Sequence, residues 1–314
     1  MHAIVDQLRN YFRAVNPWAL ICTSLFTALL IALNYTIGIE PRIVSFSSPL
    51  LKFLGFLLLF AFTFCTAWLL QALLSKEDIF LKRFFYLLLL ISPVIFAGKV
   101  TFDWFSALVT KDLDYPWNEY WSVVLNWPLK GAFVFAAVSI LWVSGDYSPP
   151  LSGLSAKGFS AKPYFLLLLC MVPLIAVAGT QDDFLRVYPK WQRLTFIEPY
   201  VANSLPEKLL FELSYGLDFV TIEFFFRGFL ILAFVRYAGK AAILPMAAFY
   251  CSIHFGKPML ECITSYFGGI ILGVIVYHSR SIWGGLIVHL GIAWLMEIAG
   301  HIGRAFAQQG QHLL

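Results

Sequence analysis

Apolar runs close to the length of a bilayer recur along this chain, and nothing else in the sequence restricts its fold so sharply. A hydrocarbon core about 30 Å thick is crossed by roughly 20 apolar residues in a helix. Nine runs near that length can be marked, at 18–38, 50–74, 84–102, 129–145, 163–180, 208–236, 241–255, 259–278 and 281–300, the fourth and seventh being short. Composition agrees, since 60% of the 314 residues are hydrophobic and 13% charged, against about 25% charged in an ordinary soluble domain. The expected fold is all-α, a polytopic membrane helical bundle of about nine transmembrane helices.

The margins of these runs carry further information. The opening "MHAIVDQLRNYFRAVN" sets Ile4, Leu8, Phe12 and Val15 at helical spacing, as in a short amphipathic helix lying on a membrane. The 18–38 run is too long for a signal-peptide core and reads as a retained anchor. With the N-terminus inside, the inner loops collect Arg9, Arg13, Lys76, Lys82, Arg83, Lys157, Lys162, Arg236, Lys240 and Arg280. The 103–128 loop is acidic, with Asp103, Asp112, Asp114 and Glu119 against Lys111, so the positive-inside rule favours a cytoplasmic N-terminus. Two aromatic segments, "YPWNEYWSVVLNWP" and "FLRVYPKWQRLTFIEPYV", suit the headgroup level or a lid that guides substrate.

Other classes lose ground. The net charge of +4 is spread out, and no basic run suggests nucleic acid. Cys22, Cys65, Cys170, Cys251 and Cys262 lie in apolar runs without CxxC spacing, which indicates neither a disulfide framework nor a thiolate metal site. No internal repeat is visible, which weakens a transporter reading.

Charges inside spans cost about 2.5–3.5 kcal/mol each on insertion scales and mark functional candidates. They gather in the last four runs. The sixth carries Glu212, Asp218, Glu223 and Arg227, the seventh ends at His254, the eighth opens with Glu261, and the ninth holds His289 and Glu297. Glu223 and Arg227 are four residues apart and share a helix face. A rise of about 1.5 Å per residue puts Glu223, His254, Glu261 and Glu297 in one layer, with His289 about two turns below Glu297. Two imidazoles and several carboxylates can activate a water by taking its proton, or hold a metal that does so. No HExxH is present. Each residue also has a plainer use: an interhelical ion pair, a histidine bonded between helices, or, for Glu261 just after Pro258, a carboxylate complementing a helix start.

The motifs "EFFFRG", "YCSIH" and "SIWGGLIVHLGIA", in that order, resemble the CAAX protease and bacteriocin-processing (CPBP, or Abi) family of intramembrane proteases. The resemblance covers about 208–300 and implies a C-terminal four-helix CPBP-like core at 208–314. The 1–207 part would then supply an N-terminal amphipathic helix and five transmembrane helices. The family pattern is EExxxR, FxxxH and HxxxN. Glu223 matches the second Glu, Arg227 the Arg, His254 the second-motif His with Tyr250 at the usual Phe, and His289 the third-motif His. Ile222 stands at the first Glu and Ala293 at the Asn, so the water activator and the oxyanion donor of the family are both missing.

The resemblance implies hydrolysis of a membrane-associated peptide or protein by a Glu/His-activated water. The expected catalytic set is Glu223, Arg227, His254 and His289, with Glu261 and Glu297 as substitutes for the missing groups. No cofactor is specified; a divalent metal such as zinc, held by His254, His289 and Glu223, is the alternative mechanism. A catalytically inactive relative that binds or stabilises a partner is the other function, favoured by Ile222 and Ala293. The expected setting is the lipid bilayer of a bacterial inner membrane, with no nucleic-acid partner.

Overall fold

The computed structural model describes residues 2–75, 82–148, 150–156 and 159–311. Lys76 and Lys157, counted above toward orientation, lie outside the described residues. Those residues form helices and turns with no strand among them. In chain order the helices are α1 (His2–Ala14), α2 (Pro17–Ile37), α3 (Ile39–Val44), α4 (Pro49–Leu74), α5 (Arg83–Thr101), α6 (Trp104–Thr110), α7 (Trp117–Ser144) and α8 (Lys162–Ala178). They continue with α9 (Asp182–Val187), α10 (Leu205–Ile222), α11 (Leu232–Ala238), α12 (Ile243–Ser252), α13 (Met259–Ser279) and α14 (Trp283–Gln311). Between α10 and α11 the winding widens to a π-helix over Glu223–Ile231. Tighter 3₁₀ turns occupy Leu151–Gly153 and Lys190–Tyr200.

Local chemistry explains the helix ends. Asn16 accepts from the Trp18 N–H at 2.9 Å while Pro17 opens α2, a start that spends the N–H proline lacks. The helix stops at Gly38, whose φ of +72° closes the end by donating to the Asn34 carbonyl. Ser48 and Pro49 repeat the opening device for α4.

Six helices are long and apolar enough to cross a membrane: Pro17–Ile37, Pro49–Leu74, Arg83–Thr110, Trp117–Ser144, Met259–Ser279 and Trp283–Phe306. The chain is a multi-pass membrane protein of all-α architecture. A seventh span arises if Lys162–Ala178 and Asp182–Tyr200, bent by 96°, count as one. The nine runs expected from hydropathy therefore reduce to six or seven among the described residues. The 241–255 run becomes α12, a 10-residue helix only about 15 Å long. All of its residues are buried, so its apolarity serves protein packing rather than lipid. The 208–236 run is divided at the π-helix and burdened with four charges from Glu212 to Arg227. In the opening helix Ile4 and Tyr11 are buried, Phe12 is 46% exposed, and α1 packs on α13.

The chain divides into two compact units, each assembled from three stretches. The first comprises residues 1–102, 133–159 and 222–285. Its core is phenylalanine-rich: Phe60, Phe64, Phe96, Phe225, Phe226, Phe234 and Phe249 are buried together. Phe96 meets Phe226 edge-to-face at 4.9 Å, and Phe224 stacks on Phe135 at 3.9 Å. Against this mass α12 packs on α13, α4 and α2. The second unit comprises residues 103–132, 160–221 and 286–314. Its packing is divided among smaller clusters, one around Tyr120, Leu194 and Phe211, another around Phe184, Tyr188 and Met296.

Candidate active site

The π-helical segment of the first unit carries Glu223 and Arg227, both with fully buried side chains. Arg227 Nη1 lies 3.2 Å from Glu223 Oε1. A charge moved out of water costs several kcal/mol, and only a close partner recovers it. The guanidinium has a second one: its central carbon sits 3.7 Å from the centre of the Tyr250 ring. A cation over an aromatic face is worth about 2 kcal/mol when desolvated. Departures from α-helical winding such as this π segment are found frequently at functional sites.

Tyr250, on α12, extends the chain of contacts. His254 lies one helical turn later, and its ring meets the Tyr250 ring edge-on at 4.6 Å. His254 Nδ1 is 2.9 Å from the Tyr250 carbonyl oxygen. A carbonyl can only accept, so Nδ1 is the donor and Nε2 carries the lone pair of the neutral ring. Buried carboxylate, guanidinium and phenol ring and a half-buried imidazole thus follow one another in a single series.

The carboxylate of Glu223 also depends on an absent side chain. A Cβ added at Gly285 would meet Glu223 Oε2 directly. Gly285 is itself held in place by the start of α14, where the Ile282 N–H donates to the Gly153 carbonyl at 3.1 Å and the Trp283 indole N–H to the Leu154 carbonyl at 3.0 Å. The same 3₁₀ turn presses on the π-helix, since a Cβ at Gly228 would run into the Ser152 carbonyl.

The remaining candidates have partners of their own. Glu261, in the first turn of α13, pairs with Lys257 Nζ at 3.4 Å. His289 and Glu297 belong to the second unit. The His289 ring lies edge-on to Phe219 at 4.7 Å. Glu297 Oε2 accepts the Lys190 N–H at 2.6 Å, where the Lys190–Tyr200 segment begins, an arrangement typical of a helix-start cap. Neither departure from the family motif is compensated at its own position: Ile222 lies in the phenylalanine-rich core, and Ala293 is buried among Tyr215, Phe219 and Leu286. Among the described residues no group of three His, Cys, Asp or Glu side chains that could hold a metal ion is found.

Several contributors to this arrangement were invisible as such in the sequence. Tyr250 counted only as a replacement for Phe, although its spacing of four from His254 placed the two on one face. Gly285 bears no side chain that could mark it. Asn34 and its neighbours, described below, gave no signal, because their partners lie more than 200 residues away.

Residues 209–295 match the family model described as Type II CAAX prenyl endopeptidase Rce1-like. No curated protein and no solved structure matches the chain. The matched stretch contains Glu223, Arg227, His254 and His289, and over that stretch the chain is similar to the Rce1-like type II CAAX prenyl endopeptidases, in keeping with the CPBP family.

Proposed function

We propose that this membrane protein is an intramembrane endopeptidase in which Glu223 activates a water for attack on a peptide bond. The observation that carries the reading is the contact series Glu223–Arg227–Tyr250–His254. Arg227 is a positioning residue: its guanidinium, 3.2 Å from Oε1, holds the Glu223 carboxylate in place. Glu223 takes one proton as the water oxygen adds to the peptide carbonyl. His254, with its lone pair at Nε2, relays a proton to the departing amide nitrogen, and the C–N bond breaks. Proton transfers of this kind contribute about 10²–10⁴-fold.

His289 remains a second acid–base candidate. Glu261 and Glu297 suit helix-start carboxylates better, given Lys257 and the Lys190 N–H as their partners. The substrate proposed is a membrane-associated peptide or protein. The proposed setting is a bacterial inner membrane with the N-terminus cytoplasmic.

A specific observation favours a second reading, a non-catalytic relative that binds a membrane segment. Ile222 and Ala293 are both packed in apolar surroundings, so the family's first Glu and its Asn have no stand-in at those positions. Turnover of a membrane-peptide pool in proteoliposomes decides between them. Glu223→Gln and His254→Gln should each lower cleavage at least about 100-fold. Background cleavage by the unmodified protein, equal to that of both variants, would leave the binding reading.

A further inference from the structure

The turn that follows His254 is gripped from the other end of the sequence. Phe255, Gly256 and Lys257 are consecutive, and each meets a different side chain from the corner between α2 and α3. Asn34 Nδ2 donates to the Phe255 carbonyl at 2.9 Å, and the Tyr35 hydroxyl donates to the Lys257 carbonyl at 2.6 Å. Between them the Glu40 carboxylate lies on the backbone of Gly256, where an added Cβ would stand 2.7 Å from Oε1 and 3.0 Å from Cδ. The corner is itself braced, since Asn34 Oδ1 accepts the Glu40 N–H at 2.9 Å. Asn34 is 3% exposed, so both ends of its amide are used inside the protein.

Within the turn, the His254 N–H donates to the Cys251 carbonyl at 2.9 Å and the Lys257 N–H to the His254 carbonyl at 3.0 Å. Any slackening at Phe255 to Lys257 is therefore passed to the His254 backbone. No side chain of the corner is required to touch the imidazole for this to matter. A misplacement of about 1 Å can cost 10²-fold in rate.

We infer that Asn34, Tyr35 and Glu40 are positioning residues for His254, so that α2 and α3, outside the matched stretch 209–295, complete the proposed site. The inference rests on the reading of His254 as an acid–base group. It assigns the amino-terminal helices a share in the chemistry, beyond anchoring the chain in lipid.

The test uses full-length protein in nanodiscs with isotope-labelled histidine, alongside the peptide-turnover assay. Tyr35→Phe removes one hydroxyl, and Asn34→Asp exchanges the donor for an acceptor while keeping Oδ1. Each should move the His254 ring resonances and the midpoint of their titration, and lower kcat about tenfold or more with KM nearly unchanged. Thr36→Ala, on the same helix but bonded only to its own backbone, should change neither. His254 resonances and kcat identical to the parent protein in both Tyr35→Phe and Asn34→Asp would overturn the inference. If the parent protein shows no turnover at all, the hydrolase reading fails, and the resonance measurement still decides whether the corner positions His254.

Discussion

Two buried glutamates, one in each unit, are partnered in opposite ways. Glu223 faces a guanidinium that is itself covered by an aromatic ring. Glu297, 8% exposed, receives a backbone N–H at the start of a helical turn. Burial is shared and partner is not. A carboxylate that accepts a backbone N–H has one of its oxygens committed to architecture. One held against a cation and followed by an imidazole has the composition of a proton-transfer site. Depth in the bilayer, the criterion available from sequence, could not separate them.

The largest effect should come from removing one member of the buried pair. Arg227→Ala strands the Glu223 charge and should cost about 3–5 kcal/mol, read by unfolding in mixed micelles. Glu297→Ala, losing a charge-assisted bond, should cost about 1.5–3 kcal/mol and spare turnover. Equal effects of the two on turnover would erase the contrast. Next comes Gly285→Ala, whose Cβ intrudes on the Glu223 carboxylate. Overpacking of this kind costs about 1–3 kcal/mol, and peptide cleavage should fall with it. Gly268→Ala, with nothing within 4 Å of the added Cβ, is the matched control and should leave both unaltered.

A smaller change follows from Tyr250. Tyr250→Phe keeps the ring over Arg227, whereas Tyr250→Leu should lose about 1–2 kcal/mol of cation–π stabilisation. A double-mutant cycle with Arg227→Met measures that coupling directly. The smallest effect concerns Glu40, whose carboxyl pKa burial raises above its ordinary range. The fold then accommodates the neutral form better. The associated stability is complete below about pH 4 and is lost as pH rises through the raised folded value. Glu40→Gln should flatten that decline in melting temperature, and an unchanged pH profile would show that Glu40 does not produce it.

Much of this could be read from residues alone, and the failures have physical causes. Hydropathy reports that a segment avoids water, not whether lipid or protein replaces it. Hence α2 and α4 were legible as spans, whereas α12, equally apolar, is enclosed by α13, α4 and α2. The Glu223–Arg227 pair was legible because its spacing is local. The aromatic lid on Arg227 and the grip on the His254 turn are contacts between distant stretches, for which periodicity has no signature. The layer proposed for Glu223, His254, Glu261 and Glu297 assumed regular rise along uninterrupted helices, an assumption that the widened turn after Ile222 breaks.

That widened turn can be viewed as a frozen insertion. A π segment winds more residues into each turn than the α-helices that flank it, as though one residue had been slipped into a regular helix and tolerated. Deleting a single residue among Phe224, Phe225 and Phe226 would let ordinary winding resume, and the rest of the helix up to Ala238 would rotate by about 100°. Arg227 would swing off the Tyr250 face, and Gly228 would present a different edge to Ser152. The register of the segment up to Ala238 therefore depends on this wider winding, and a single-codon deletion would keep the charged groups and misaim Arg227.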